Sequence, residues 1–185
     1  MADNGLPEFV AFDKIPRLRR NVIVTEKIDG TNAIVHVSDD GVVTAGSRSR
    51  WITLADDNYG FARWVHEHAD ELSKLGPGYH FGEWWGSGIQ RRYGLDEKRF
   101  SLFNAGRWTD DVRPACCHVV PVLGQGSQDI VVEASLALLR SSGSVAAPGF
   151  MNPEGIVVYH TAARSLFKVT LDRDGEPKGK SGGEG

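Results

Sequence analysis

The sequence predicts an α+β fold, with antiparallel sheets and two principal helices packed outside them. Short apolar segments bounded by Gly, Asp or Pro recur along the 185 residues, and two longer stretches switch to a helical period. The 22 glycines add a third sign, many turns between short strands. The length suits one domain, large enough to shape an interior cleft but without room for a second substrate-binding domain.

Val22-Ile23-Val24 opens the first strand. Residues 32–37 and 42–44 flank Asp39-Asp40-Gly41 and read as a hairpin with an Asp-Gly turn. From Asp56 the period changes: Phe61, Trp64 and Val65, His68 and Ala69, Leu72 and Leu75 recur at helical spacing. Asp56 or Asp57 reads as the N-cap, Gly76 as the stop, and His68 as a half-buried member of the stripe. Residues 79–85, 99–103 and 118–123 read as further strands. A second helix follows Ser127, over about 129–140, and ends at Ser141-Ser142-Gly143. Residues 155–160 and 165–171 form a final antiparallel hairpin. The domain is expected over residues 1–172. The last stretch, residues 173–185, carries no apolar anchor and is expected to be a mobile tail.

Composition bounds the function. With 21 Lys and Arg against 24 Asp and Glu, the net charge of −3 gives no global pull toward nucleic acid, so any such binding must use local patches. Two basic runs are visible: Arg17, Arg19 and Arg20, and then Arg91, Arg92, Lys98 and Arg99 around Tyr93. Each also reads as an ordinary solvated surface. The adjacent Cys116 and Cys117 cannot join distant elements, which fits a reducing compartment. Cys117-His118 has no second cluster at zinc-ligand spacing. No apolar stretch approaches membrane length, and a cytoplasmic protein is expected.

The chemistry begins at Glu26-Lys27-Ile28-Asp29-Gly30-Thr31-Asn32. A lysine at a strand end, desolvated in a cleft or crowded by positive groups, can lose its proton near neutral pH and act as a nucleophile. Asp29 would share its strand face, and Gly30 would let backbone approach a nucleotide. Four such positions also recur by chance as a surface Lys-Asp pair before a turn. No Walker phosphate loop is present, since Gly124-Gln125-Gly126 lacks a following Lys-Ser/Thr.

Read in order, further motifs follow: Ser47-Arg48-Ser49-Arg50, Phe81-Gly82-Glu83-Trp84, Phe100-Ser101-Leu102-Phe103-Asn104, Pro153-Glu154-Gly155 and Phe167-Lys168-Val169. The constellation, spread over residues 22 to 171, resembles the covalent nucleotidyltransferases. Within them it is most similar to ATP-dependent RNA ligases of the RNA ligase 2-like type, with a ligase-type, ATP-grasp-like domain. The resemblance implies that Lys27 attacks the α-phosphate of ATP and becomes a lysyl-adenylate. It places Glu26 near the adenine edge, Asp29 and Asn32 in the nucleotide site, and Arg48, rather than Arg50, on the ribose or phosphate. It gives Glu83 to the ribose hydroxyls and to metal, Phe103 to stacking on adenine, and Glu154 to metal. Lys168 would neutralise the phosphates. Mg²⁺ or Mn²⁺ follows from hard oxygen ligands.

Each of these residues also has an ordinary reading, Phe103 as core and the acids and Lys168 as surface. One departure from the family pattern stands out: a second lysine is usual two residues after the first in the last motif, and here Thr170 stands in its place unless Leu166 marks the altered position, so either alignment leaves one cation missing.

The expected reaction joins 5′-phosphate and 3′-hydroxyl RNA ends, nicked or paired ends favoured, through lysyl-AMP and a 5′-adenylylated strand. Arg91, Arg92, Lys98 and Arg99 are the candidates for gripping its phosphates. DNA ends, a GTP-using capping-type enzyme, a nucleic-acid-binding module that has lost catalysis, and a partner protein supplying substrate grip stay open.

Overall fold

The computed structural model describes residues 8, 10–15 and 21–173. The basic run at Arg17, Arg19 and Arg20 and the segment 174–185 lie outside them. Two sheets organise the chain. The first has the order β7-β1-β8-β9, from β7 (Val122–Ser127), β1 (Asn21–Lys27), β8 (Gly155–His160) and β9 (Ser165–Thr170), and every neighbour is antiparallel. The second runs β3-β2-β4-β5-β6, from β3 (Val43–Ser47), β2 (Thr31–Val37), β4 (Gly78–Gly86), β5 (Lys98–Leu102) and the short β6 (His118–Val119). Its β5–β6 pair is parallel, so the antiparallel rule expected from the sequence holds for every pair but this one.

Each sheet buries one face against helix. In β1, Val22 and Val24 pack with Ile156 and Val158 against Leu136 and Leu139 of α3 (Gln128–Ser142). In the second sheet, Ala33, Val35, Trp84, Phe100 and Leu102 pack against Phe61, Ala62 and Val65 of α1 (Phe61–Glu67). Period-two alternation then turns Lys27 and Thr25 of β1, and Tyr79, Phe81 and Glu83 of β4, to the opposite faces.

The first helical stretch is shorter and more broken than its periodicity implies. It starts at Phe61 and divides into α1, α2 (Ala69–Leu72) and a 3₁₀ turn (Ser73–Leu75), stopped by Gly76 at φ 78°. Asp57 still serves the helix start from a distance, its carboxylate accepting the amides of Ala62 (2.7 Å) and Arg63 (3.3 Å). The residues between Asp57 and Phe61 include Gly60 in the left-handed region, which delays the helix. The hairpin loop is also wider than a two-residue turn: Val37 pairs with Val43, and the Ser38 amide donates to Val42 O at 2.9 Å.

The expected strand 118–123 is two strands in different sheets. Pro121, which has no amide to donate, marks the crossing. The chain crosses a second time at Ile28–Gly30, between β1 and β2. Both crossings meet in a third apolar cluster of Ile28, Trp85, Tyr93, Val120 and Ala147, and the Glu26 amide donates to Pro121 O at 3.0 Å. Burying Trp85 and Ile28 there joins the two sheets at the point where the Lys27 segment turns.

Candidate active site

Lys27 ends β1, directly opposite Gly155, and its ammonium lies 2.5 Å from Glu154 Oε2. Both side chains are mostly withdrawn from solvent, at 23% and 16% exposure, so the pair is stronger than a surface ion pair. Gly155 is required where it stands: at φ +152° an added Cβ would sit 2.1 Å from Val169 O. Gly30 is equally constrained, since a Cβ would meet Trp84 O at 2.4 Å. These two glycines bring β8 and the 28–30 turn close enough for the charged groups to converge.

Glu83 is the centre of that convergence. It is 7% exposed, Oε1 accepting the Gly30 amide at 3.0 Å and Oε2 accepting Asn32 Nδ2 at 3.1 Å. Burial pushes its carboxyl up to about 7; the Gly30 bond and the Lys27 charge oppose this, while Glu154 and Asp29 add to it. Asp29 is fixed from two sides. Its amide donates to Tyr93 Oη at 2.8 Å and its carboxylate takes Arg91 Nε at 3.0 Å. Burial raises the Tyr93 phenol, which stays neutral and so can accept. Arg91 also donates to Asn152 O at 3.1 Å and pairs with Asp172, tying the turn after β1 to the segment before β8 and the residues after β9.

Glu26 points the other way. It is 1% exposed on the α3 side of β1, taking Ser144 Oγ at 2.6 Å and the amides of Val145 and Ala146 at 2.8 and 2.9 Å. Burial raises its carboxyl, and those three bonds oppose the shift. Its side chain thus orders the 144–147 turn, and it meets the Lys27 face through backbone alone.

Lys168 pairs with Val157, which pairs with Thr25, so it lies on the Lys27 face of the first sheet and is exposed. Phe103 follows β5, 42% exposed, with its amide donating to Phe81 O at 3.0 Å. Arg48 is exposed in the turn after Ser47, whose partner Ala33 neighbours Asn32; Arg50 is engaged with Asp56. Of the nucleotide-site residues named from the sequence, Lys27, Asp29, Asn32, Glu83 and Glu154 come together, Lys168, Phe103 and Arg48 lie on neighbouring strands and turns, and Glu26 faces the other way.

The proposed phosphate grip is dispersed. Arg91 belongs to the Asp29 network, Lys98 Nζ donates to Tyr59 O at 2.8 Å, Arg99 pairs with Glu97 and lies over Trp85, and Arg92 is exposed. Sequence reasoning missed the positioning roles of Arg91 and Tyr93. Three left-handed residues, Gln90, Arg92 and Tyr93, at φ 43°, 59° and 52°, aim these side chains, and no glycine pattern announces that backbone.

A family model described as RNA ligase matches residues 20–170, which include every one of these site residues. The chain belongs to the RNA ligase family. Solved structures show the same fold. An apo mutant of a Naegleria gruberi RNA ligase aligns with TM-score 0.58 at 19% identity, over 83% of this chain and 50% of that one. A mutant of a Naegleria gruberi RNA ligase with ATP and Mn aligns with TM-score 0.58 at 20% identity, over 83% and 49%. The ligase with PPi does so with TM-score 0.58 at 21% identity, over 83% and 50%. This RNA ligase-family chain spans about half the length of those solved chains. No curated protein matches it.

Proposed function

We propose that the chain carries the adenylation chemistry of an ATP-dependent RNA ligase, with Lys27 as its nucleophile. The observation that carries the reading is the Lys27 ammonium 2.5 Å from Glu154, beside a buried Glu83 and two glycines that admit no side chain. Family membership and neighbours solved with ATP and Mn or with PPi support it.

Lys27 Nζ gives up a proton, with Glu154 the nearest acceptor, and attacks the α-phosphorus of ATP. A P–N bond forms, the bond to the bridging oxygen breaks, and pyrophosphate leaves. A 5′-phosphate oxygen of the RNA then attacks that phosphorus, the P–N bond breaks and Lys27 recovers its proton. The 3′-hydroxyl of the other RNA end gives its proton to solvent and attacks the activated 5′-phosphate, forming the phosphodiester and releasing AMP. In-line positioning and charge stabilisation are the main demands of such transfers. Asn32 and Glu83 would bind the ribose, Phe103 the adenine, and Arg48 and Lys168 the phosphates.

Glu154 and Glu83 suit Mg²⁺ or Mn²⁺ by donor chemistry. Such an ion is commonly held by one or two carboxylates together with nucleotide phosphates. Such an ion would supply charge neutralisation at the phosphates.

Labelled ATP tests the reading. Wild-type protein should form a covalent AMP adduct on Lys27, and Lys27→Ala and Lys27→Arg should form none, because arginine stays protonated. AMP on a different lysine would overturn the assignment, and label from GTP in preference to ATP would favour capping chemistry.

A further inference from the structure

We propose that Trp51, Tyr79 and Phe81 form a stacking platform for unpaired nucleotides of the RNA strand beside its reacting end. The proposal rests on the RNA-ligase reading and adds where, and in what form, the strand is held.

These rings stand out by exposure. The chain buries Phe61, Trp84, Trp85 and Phe100 almost completely, yet leaves Trp51 49%, Tyr79 57% and Phe81 54% exposed. They are also ordered relative to one another. Tyr79 and Phe81 have centroids 6.2 Å apart at an interplanar angle of 14°, and Trp51 and Tyr79 are 6.2 Å apart at 25°. His36 supports the row from β2, its ring 4.6 Å from Tyr79. Trp51 is seated on Gly46, where a Cβ would come within 3.1 Å of the indole. The platform is therefore built by backbone pairing and packing.

Continuity with the Lys27 site decides the occupant. Tyr79 and Phe81 are the alternate residues of β4 that precede Glu83, so the row runs along one sheet face into the buried carboxylate. A strand whose 5′-phosphate lies at Lys27 leaves the cleft over one of its faces, and this face offers π surfaces in near-parallel succession. Every base has a face to stack on such rings, whereas a paired duplex hides it. The expectation of a paired junction is thereby sharpened: the junction carries an unpaired stretch next to the break.

Tyr79→Leu and Tyr79→Phe separate ring from bulk, and Tyr79 has no part in the adenylation machinery. Affinity for a 5′-phosphorylated single-stranded RNA should fall about tenfold in the leucine variant and stay within about twofold in the phenylalanine variant. An abasic strand of equal charge should bind both variants and wild type alike, and weakly. A blunt RNA duplex should not distinguish them. Equal binding of intact single-stranded RNA by wild type and Tyr79→Leu overturns the platform, as does an equal loss for duplex and single strand, which would place the contact on the phosphate backbone. Adduct formation with ATP alone is measured in parallel. All three proteins should form the adduct at similar rates; its absence in wild type would sink the ligase reading and leave the RNA-binding result to stand or fall separately.

Discussion

The two ends of the cleft face differ in how their side chains are satisfied. At the Lys27 end, polar groups are partnered and withdrawn from water: Lys27 by Glu154, Glu83 by Gly30 and Asn32, Asp29 by Arg91 and Tyr93. At the other end, Tyr79 stacks with Trp51 and with Phe81, and all three rings meet solvent. Preorganised polar groups serve a charge-developing reaction, because they need no rearrangement at the moment of transfer. Exposed rings suit a ligand that arrives from water and carries its own flat surfaces.

The sharpest way to break this contrast is at the charged end. Glu154→Ala and Glu83→Ala should each slow single-turnover adenylation at limiting metal by about a hundredfold or more, a scale common for lost transition-state contacts. Folding should change far less, since neither belongs to the apolar clusters. Near-normal rates in both variants would remove them from the chemistry, and higher Mn²⁺ should partly restore one of them.

A step smaller is the network behind Asp29. Tyr93→Phe removes the acceptor of the Asp29 amide, and Arg91→Gln removes the charge on its carboxylate. Each should slow adenylation about tenfold, the effect of roughly 1.4 kcal/mol. ATP affinity should move less than the rate, because these residues position the turn. Unchanged rates would make the network a fold device only. Replacing Arg92, Lys98 and Arg99 with Gln should leave adenylation intact and weaken RNA binding most at low salt, with a shallower salt dependence than wild type; no change would exclude them as phosphate contacts.

The remaining test is read on stability, as a pH slope. Glu83 has a folded value of about 7 against an ordinary 4.5, so its neutral form is the one the fold favours. The associated stability is complete below about pH 4.5 and is lost as pH rises through about 7. Wild type should therefore lose stability over that window relative to Glu83→Gln, by at most about 1.4 kcal/mol per pH unit. Glu26 titrates in both proteins, so their difference isolates Glu83. Parallel melting curves from pH 5 to 8 would show that Glu83 is not burdened by burial.

Much of this was legible in the residues. Local pattern placed β2, β4, β8 and β9 within a residue or two and marked the opening of β1. Lys27, Asp29, Asn32, Glu83 and Glu154, from three separate stretches of the sequence, lie close together in the fold. What escaped was either nonlocal or stereochemical. The division of 118–123 between sheets depends on which edges β6 and β7 find, and its one local sign is Pro121. The reassignment of Arg91 from RNA grip to Asp29 depends on the left-handed backbone at Gln90 and Arg92, which charge counting does not reveal. Glu26 shows the same limit: its neighbour in sequence faces the site, and period two alone turns it toward Ser144.

The crossing at Ile28–Gly30 also governs how the molecule can move. Four Cα steps join Lys27 to Thr31, a reach of at most about 14 Å. Ile28 is locked among Trp85 and Tyr93, which leaves no slack in this tether. The tether holds the sheets together beside Lys27. With the Pro121 crossing packed into the same cluster, the sheets are clasped on the side of the Lys27 turn, as a clothes-peg is held at its spring, and Tyr79 lies away from that clasp.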